Sequence, residues 1–211
     1  MGVVPGSVVA IRLARGVDFL LAMWAILANG ASYVPIDAAY PIERQEYMIG
    51  DSAAVLLVSD ATGSVDATPV LDIASISSNA PFAHAAAAPA FPGRCYTIYT
   101  SGSTGRPKGA SNHDHGVLNR LIWMHDALAF SPSTRYVQKT STSFDVSVWE
   151  LMLAFMTSGT LLLAPVGMEK DAEALDAFFA RSSVTVTHFV PSMLRAFLLA
   201  TDGQSVAFAA A

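Results

Sequence analysis

A ten-residue segment rich in glycine and hydroxyl side chains is the part of this sequence best suited to chemistry. It spans residues 100–109 and reads TSGSTGRPKG. Its glycines let backbone N–H groups approach a ligand and converge on an anion, and its hydroxyls are neutral donors for phosphate oxygens. The candidate phosphate-binding residues are Thr100, Ser101, Gly102, Ser103, Thr104, Gly105 and Lys108.

The residues around Lys108 exclude one type of phosphate-binding loop and leave one alternative interpretation. It is not a Walker A loop, because a proline precedes Lys108 and a glycine follows it, so no helix can begin at the lysine. A solvent-exposed polar turn is the alternative interpretation, since Ser/Gly/Thr runs are common in linkers. The apolar strand predicted directly before the segment favours an anion site, because ligands of open α/β sheets bind where strands end.

Strand-like and helix-like patterns alternate along the chain and should position this segment. The predicted strands span 7–13, 33–37, 54–59, 94–100, 135–139, 160–164 and 185–190. The predicted helices span 17–29, 41–50, 116–130, 146–156, 171–181 and 191–199, with a loop over 110–116 and no clear element over 61–92. This alternation predicts an α/β fold with layered, largely parallel sheets and flanking helices.

The composition narrows the class of protein. Of the 211 residues, 53% are hydrophobic and only 14% are charged, against about 25% charged in typical soluble domains. Such a balance fits strands buried on both faces, or a fragment whose apolar surface is normally covered. The net charge of −5 and the lack of a basic run argue against a nucleic-acid partner.

The cysteine content and the length of the apolar runs indicate in which cellular compartment the protein is expected. Cys95 is the single cysteine, which excludes an intrachain disulfide and fits a reducing environment. The apolar run 19–28 is too short to span a bilayer, which requires about 20 residues. We therefore expect a soluble, cytoplasmic protein without a membrane partner. The His113-Asp114-His115 run lacks partners at metal-ligand spacing, so we predict no metal site.

Beyond composition, several motifs resemble one known family. Segment 100–109 is similar to the phosphate-binding signature of the adenylate-forming (AMP-binding) superfamily. Residues 27–37 are similar to the "KAGGAYVPLD" segment of its peptide-synthetase branch. Residues 119–124, 138–150 and 188–194 resemble that branch's "NRLxWM", "QKT…SFDxSVWE" and "HFVPSML" stretches. The resemblance covers residues 2–199 and points to an amino-acid adenylation domain of a nonribosomal peptide synthetase.

The resemblance implies a function and an incomplete domain. It implies that ATP, with Mg²⁺, and an amino acid react to aminoacyl-AMP and pyrophosphate. The aminoacyl group is then loaded on the thiol of a carrier protein, next to further synthetase modules. It also implies that residues 1–211 are one partial adenylation domain, part of the large N-terminal domain, truncated at both ends and without a separate second domain. We expect such a fragment to be inactive alone, and we assign it no catalytic residue. An acyl- or aryl-CoA ligase-type enzyme and a non-catalytic nucleotide-binding remnant are the alternatives.

The same resemblance assigns a substrate-binding role to three residues. It implies that Asp145 anchors the α-amino group of the amino acid, with Val146 and Trp149 lining the side-chain pocket, and their pattern suggests serine. A carboxylate in a mostly apolar pocket favours a bound ammonium. The spacing alone leaves other interpretations open: Asp145 could cap the following helix, and Val146 and Trp149 could be ordinary core residues.

Overall fold

The computed structural model describes residues 2–61, 64–65, 67–76, 93–101 and 106–201. These residues form two compact units, which divide the chain into residues 1–119 and 120–211. Each unit is described by itself below. The interpretation of the whole chain as one partial domain stays a prediction.

A seven-stranded sheet forms the centre of the first unit. Its strands are β1 (Val8–Arg12), β2 (Ser32–Pro35), β3 (Leu56–Ser59), β4 (Ser64–Val65), β5 (Thr68–Asp72), β6 (Arg94–Thr100) and β7 (Lys108–His113). The spatial order is β4-β5-β3-β1-β2-β6-β7. The four inner pairings are parallel, whereas β4–β5 and β6–β7 at the two edges are antiparallel. The predicted α/β fold with a largely parallel sheet is therefore confirmed.

Two helices of the first unit connect the parallel strands. Helix α1 (Val17–Ala28) joins β1 to β2, and helix α2 (Ile42–Asp51) joins β2 to β3. Gly30 ends α1 in the left-handed region, with a φ of 70° that a glycine adopts without steric cost. Buried side chains of both the sheet and α2 form one core: Val8, Ala10, Val34, Ile36, Met48, Ile49, Leu57 and Tyr99.

Three strands of the first unit, β4, β5 and β7, lie where the sequence predicted none. The predicted loop over 110–116 is wrong, because residues up to His113 belong to β7 and a helix begins at Asp114. All six β7 residues are exposed, so the strand has no apolar alternation and forms through backbone pairing with β6. Strand β5 was missed because it is short and contains Pro69, yet it pairs in parallel with β3.

The second unit contains a smaller parallel pair of strands. Helix α3 (Asp114–Leu128) runs across the boundary between the units, and the remaining elements are β8 (Arg135–Gln138), α4 (Val146–Met156), β9 (Thr160–Leu163), α5 (Ala172–Arg181) and α6 (Pro191–Thr201). Strands β8 and β9 are parallel and α4 connects them, which makes a βαβ unit. The buried core of this unit contains Val137, Ala164, Leu175, Phe178, Phe179 and Phe197.

The strand predicted over 185–190 is present only in part. Val186 forms an isolated parallel bridge with Tyr136, and the Thr185 N–H donates to the Arg135 carbonyl oxygen at 3.0 Å. The segment is thus extended beside β8 without a continuous ladder. In the part of the chain that the structure describes, no helix combines the length and the apolar character that crossing a bilayer demands.

Candidate functional site

The predicted phosphate-binding segment joins β6 to β7 at the edge of the first unit's sheet. Thr100 and Lys108 are paired across the antiparallel ladder, so the residues between them form the connecting loop. Thr100, Ser101 and Lys108 are exposed. The remaining predicted members, Gly102, Ser103, Thr104 and Gly105, lie outside the described residues. The structure therefore places Thr100 and Lys108 opposite each other at the base of the loop, with Ser101 next in the chain.

Tyr99 crosses the base of this hairpin and is held by α2. Its hydroxyl donates to Oδ2 of Asp51 at 2.6 Å, and the Tyr47 hydroxyl donates to Oδ1 of the same carboxylate at 3.2 Å. Burial, followed by the hydrogen bond and negative charge of Asp51, raises the pKa of Tyr99 well above its usual value. Tyr99 is thus a protonated donor under ordinary conditions.

Gly109 makes room for the Tyr99 ring on the opposite strand. A Cβ atom at Gly109 would lie 2.9 Å from Thr97 Cγ2 and 3.2 Å from Tyr99 Cζ, closer than side chains pack without displacement. On the loop side, the Arg106 guanidinium lies 5.9 Å from the centre of the Tyr47 ring, at the outer limit of a cation–π contact. Both ends of the loop are therefore linked to α2, a role that the sequence analysis did not assign to Tyr47 or Tyr99.

The second predicted site begins at Asp145, directly before α4. Asp145 is exposed, and its side chain makes no capping hydrogen bond to the helix. Its backbone is already helical, with φ −61° and ψ −26°, whereas a capping residue usually has extended dihedral angles. The capping interpretation is therefore not supported, and the carboxylate faces solvent without a helix N–H to satisfy.

The two predicted pocket residues differ in burial. Val146 is half-buried, and Trp149 is 5% exposed. The Trp149 indole meets the His188 ring edge to face, with 5.8 Å between the ring centroids and an interplanar angle of 76°. The structure therefore adds His188 to the surroundings of Trp149. No spacing rule predicts this contact, because the two residues are far apart along the chain.

Glu150 follows Trp149 and is fully buried. Its Oε2 accepts hydrogen bonds from the backbone N–H groups of Lys139 at 3.1 Å and Thr140 at 3.0 Å. Its Oε1 accepts from the Thr140 hydroxyl at 2.7 Å and lies 3.3 Å from His188 Nδ1. The His188 contact lacks hydrogen-bond alignment. These donors satisfy the buried carboxylate, as a charge in such a place requires.

Metal ligation and the neighbouring histidines can be assessed over the same residues. Among the described residues, no three His, Cys, Asp or Glu side chains are grouped so that they could hold a metal ion. The His113 and His115 rings are 5.7 Å apart between centroids, and His115 Nδ1 lies 3.7 Å from Asp114 Oδ1.

Ligands of open α/β sheets bind outside the carboxyl ends of the strands, and the candidate phosphate-binding segment follows the end of β6. The chain belongs to the AMP-binding enzyme family, which it matches over residues 1–210. The predicted resemblance to adenylation domains of nonribosomal peptide synthetases is confirmed by the relatives described next.

Two relatives among curated proteins illustrate the match. Enterobactin synthase component F of Escherichia coli (strain K12) is 38% identical over 208 residues, which cover 97% of this chain and 16% of that protein. Phosphinothricin tripeptide synthetase PhsB of Streptomyces viridochromogenes is 40% identical over 207 residues, which cover 93% of this chain and 17% of that protein. The chain thus spans about a sixth of these relatives.

Two solved structures have the same fold. Holo-AB3403, a four-domain nonribosomal peptide synthetase bound to AMP and glycine, aligns with a TM-score of 0.80 and 26% identity, over 97% of this chain and 15% of that one. The N-terminal subdomain of Klebsiella oxytoca NpsA, in complex with 3-hydroxybenzoyl-AMSN, aligns with a TM-score of 0.79 and 27% identity. That alignment covers 94% of this chain and 51% of the NpsA chain. The architecture therefore matches the N-terminal subdomain of adenylation domains.

Proposed function

We propose that this chain supplies the polyphosphate-binding hairpin and part of the amino-acid pocket of an enzyme that activates an amino acid as aminoacyl-AMP. The observation that carries the proposal is Asp145. Its carboxylate is exposed at the start of α4 and makes no capping bond, so it is available to an external ammonium group. Family membership supports the ATP-dependent half of the reaction.

The proposed reaction assigns separate tasks to the two sites. The substrate carboxylate attacks the α-phosphorus of ATP, a new P–O bond forms, and the bond to the β-phosphate breaks as pyrophosphate leaves with the electron pair. MgATP is the substrate, and Thr100, Ser101 and Lys108 would hold its β- and γ-phosphates together with Gly102, Ser103, Thr104 and Gly105. Lys108 would stabilise the negative charge that accumulates on the leaving group.

The amino-acid side chain would face Val146, Trp149 and His188. We propose a small, hydroxyl-bearing amino acid such as serine, because the pattern of Asp145, Val146 and Trp149 resembles that of serine-activating domains and His188 adds a polar ring beside Trp149. A related synthetase, FmoA3, has been solved with α-methyl-L-serine-AMP and aligns with a TM-score of 0.80 and 25% identity. The alignment covers 96% of this chain and 23% of that one, and the bound ligand supports this choice.

An aryl-acid substrate is the second candidate, and one observation favours it. The NpsA subdomain, at 27% identity, binds a 3-hydroxybenzoyl compound, which has no ammonium group. The exposed Asp145 carboxylate argues against this candidate, because an anion near a neutral aryl group gains no partner.

The decisive experiment compares ligands that differ only in the amino group. L-Serine and 3-hydroxypropanoate are titrated by calorimetry into the 211-residue chain and into its Asp145→Ala variant. We expect the wild type to prefer serine by at least about tenfold, the discrimination expected of a site built to pair one polar group, and the variant to lose this preference. Equal binding of both ligands by the wild type would refute amine recognition.

A longer gene product that contains the chain would test turnover. There we expect pyrophosphate exchange that depends on an amino acid, whereas the 211-residue chain alone should show little or none, because it spans about a sixth of its relatives. The proposal extends to a cytoplasmic setting, to a carrier protein as acceptor and to neighbouring synthetase modules. Exchange driven by an aryl acid would instead favour the second candidate.

A further inference from the structure

We propose that Glu150 is a positioning residue for the amino-acid pocket, and this inference rests on the function proposed above. Its buried carboxylate ties three pieces of the second unit together: α4, the turn that carries Asp145, and the segment that carries His188. Glu150 does not face the substrate in this proposal. It acts through the residues that do.

The first link fixes the start of the turn that leads to Asp145. Both N–H groups at the end of β8, those of Lys139 and Thr140, point at Glu150 Oε2, and the Thr140 hydroxyl bonds to Oε1. At its C-terminal end the turn continues directly into α4. At its N-terminal end it is hydrogen-bonded to Glu150, which is itself part of α4. The turn is thereby closed on the helix at both ends.

Hydrogen bonds within the turn make it short and compact. The Phe144 N–H donates to the Ser141 carbonyl oxygen at 3.0 Å, and the Ser147 hydroxyl donates to the Phe144 carbonyl oxygen at 2.7 Å. Little slack remains between Thr140 and Asp145. A shift of the backbone at Thr140 is therefore transmitted to the Asp145 carboxylate.

The second link places His188. Its Nδ1 is buried, forms no aligned hydrogen bond, and lies 3.3 Å from Glu150 Oε1. A second constraint on the same ring is the edge-to-face contact with Trp149. The imidazole thus contacts both a carboxylate and an indole, and the carboxylate favours the tautomer with its proton on Nδ1.

Packing alone does not account for a carboxylate at this position. An apolar side chain of similar size would fill the space but leave the Lys139 and Thr140 N–H groups without an acceptor, at a considerable cost in the interior. A glutamine would keep one oxygen for these N–H groups and present an amide N–H₂ to the Thr140 hydroxyl and to His188. The glutamine variant therefore keeps the size and shape of the Glu150 side chain but removes its charge, so the two contributions can be distinguished.

The experiment compares Glu150→Ala, Glu150→Gln and a matched control, Tyr136→Phe, in the 211-residue chain. The control removes a buried 2.8 Å hydrogen bond between Tyr136 and Thr157, at the other end of the same strand and helix. We expect Glu150→Ala to weaken serine binding at least about tenfold, and Glu150→Gln to weaken it by no more than about threefold. Tyr136→Phe should lower the melting temperature without changing serine binding.

A second readout needs no ligand. Nitrogen chemical shifts of the His188 ring report which ring nitrogen carries the proton. We expect the Nδ1–H form in the wild type, the Nε2–H form in Glu150→Gln, where the amide N–H₂ faces Nδ1, and a mixture in Glu150→Ala. Unchanged His188 shifts in both Glu150 variants would overturn the proposal.

The two readouts separate this inference from the proposed function. If serine binds the wild type and Glu150→Ala equally well, the positioning role is overturned and amine recognition by Asp145 stands. If the wild type does not distinguish serine from 3-hydroxypropanoate, the proposed substrate is wrong, and the His188 shifts alone decide whether Glu150 positions the ring. A loss of serine binding in Tyr136→Phe as large as in Glu150→Ala would reduce Glu150 to a general stabilising role and overturn the proposal.

Discussion

The Tyr99 hydroxyl donates a 2.6 Å hydrogen bond to Oδ2 of Asp51, which joins the last buried residue of β6 to the final residue of α2. The two residues are 48 positions apart in the sequence. Asp51 also accepts from the Tyr47 hydroxyl, so both of its oxygens are engaged. The hairpin that bears Thr100 and Lys108 is therefore attached to a helix and not only to the neighbouring strand.

Removal of the Tyr99 hydroxyl should destabilise the chain measurably. We expect Tyr99→Phe to lower the free energy of unfolding by about 1.5–3 kcal/mol, the range for a hydrogen bond to a charged acceptor. Urea denaturation of the 211-residue chain measures it. Tyr40→Phe is the matched control, because Phe can keep the contact with the Arg44 guanidinium, now 4.0 Å from the ring centre. Equal effects of the two substitutions would contradict a specific role for the Asp51 bond.

A methyl group at Gly109 should disturb the same hairpin by crowding. We expect Gly109→Ala to cost about 1–3 kcal/mol, typical of overpacking, because its Cβ would lie 2.9 Å from Thr97 Cγ2. Thr97→Ser removes that methyl group and keeps the hydroxyl that pairs with Ser111. The double variant should therefore lose less stability than the sum of the single variants, as chemical denaturation would show. Strict additivity would mean that the contact is not the cause.

Elements with a clear local pattern could be predicted from the sequence, whereas elements and contacts that depend on residues far away in the chain could not. The strand over 94–100 and the helix over 146–156 have the predicted bounds, because each is rich in apolar side chains and is flanked by polar or glycine-rich residues. Strand β7 has no apolar face, so only its pairing with β6 reveals it. The contacts of Asp51 with Tyr99 and of Glu150 with His188 join separate elements, and no spacing rule brings such residues together.

The buried thiol of Cys95 should make the free energy of unfolding decrease with pH in the alkaline range. Burial, assisted by the negative charge of Asp114, raises the pKa of Cys95 from 9.0 to about 12. Below pH 9.0 both states keep the proton, so the contribution of the thiol is fully present. Above it the unfolded state loses the proton while the folded state retains it, so stability falls as pH rises, by up to about 1.4 kcal/mol per pH unit.

Cys95→Ala tests this dependence. We expect the wild type to lose stability more steeply than the variant between about pH 9 and 10, before tyrosines titrate in the unfolded state near pH 10. Urea denaturation under reducing conditions at three pH values gives both slopes. Because a methyl group is smaller than the thiol-bearing side chain, the two proteins differ in absolute stability, and only the difference between their slopes tests the prediction. Parallel pH profiles would exclude the thiol as the source.

The charge of Lys108 should contribute to nucleotide binding and not to folding. Lys108 is exposed at the first position of β7, so Lys108→Gln should leave the melting temperature within about 2 °C of the wild-type value. We expect the affinity for MgATP to fall about tenfold or more, the loss of one charge-assisted contact to phosphate. Lys170→Gln, in an exposed position of the second unit, is the control in calorimetric titrations. Equal affinities of the two variants would contradict a phosphate-binding role for Lys108.

Substitution of Asp145 and of Asp171 should distinguish an aspartate that binds a ligand from one that caps a helix. Both precede a helix, but only the Asp171 side chain accepts a capping hydrogen bond, from the Ala174 N–H at 3.0 Å. We expect Asp171→Ala to cost about 1 kcal/mol of unfolding free energy, and Asp145→Ala to cost about 0.5 kcal/mol or less, the effect of an exposed acid near a helix N-terminus. Serine binding should show the reverse order, with loss in Asp145→Ala and none in Asp171→Ala. If Asp145→Ala destabilises the chain as much as Asp171→Ala and leaves serine binding intact, Asp145 is a structural residue, because its carboxylate then stabilises α4 and contacts no ligand.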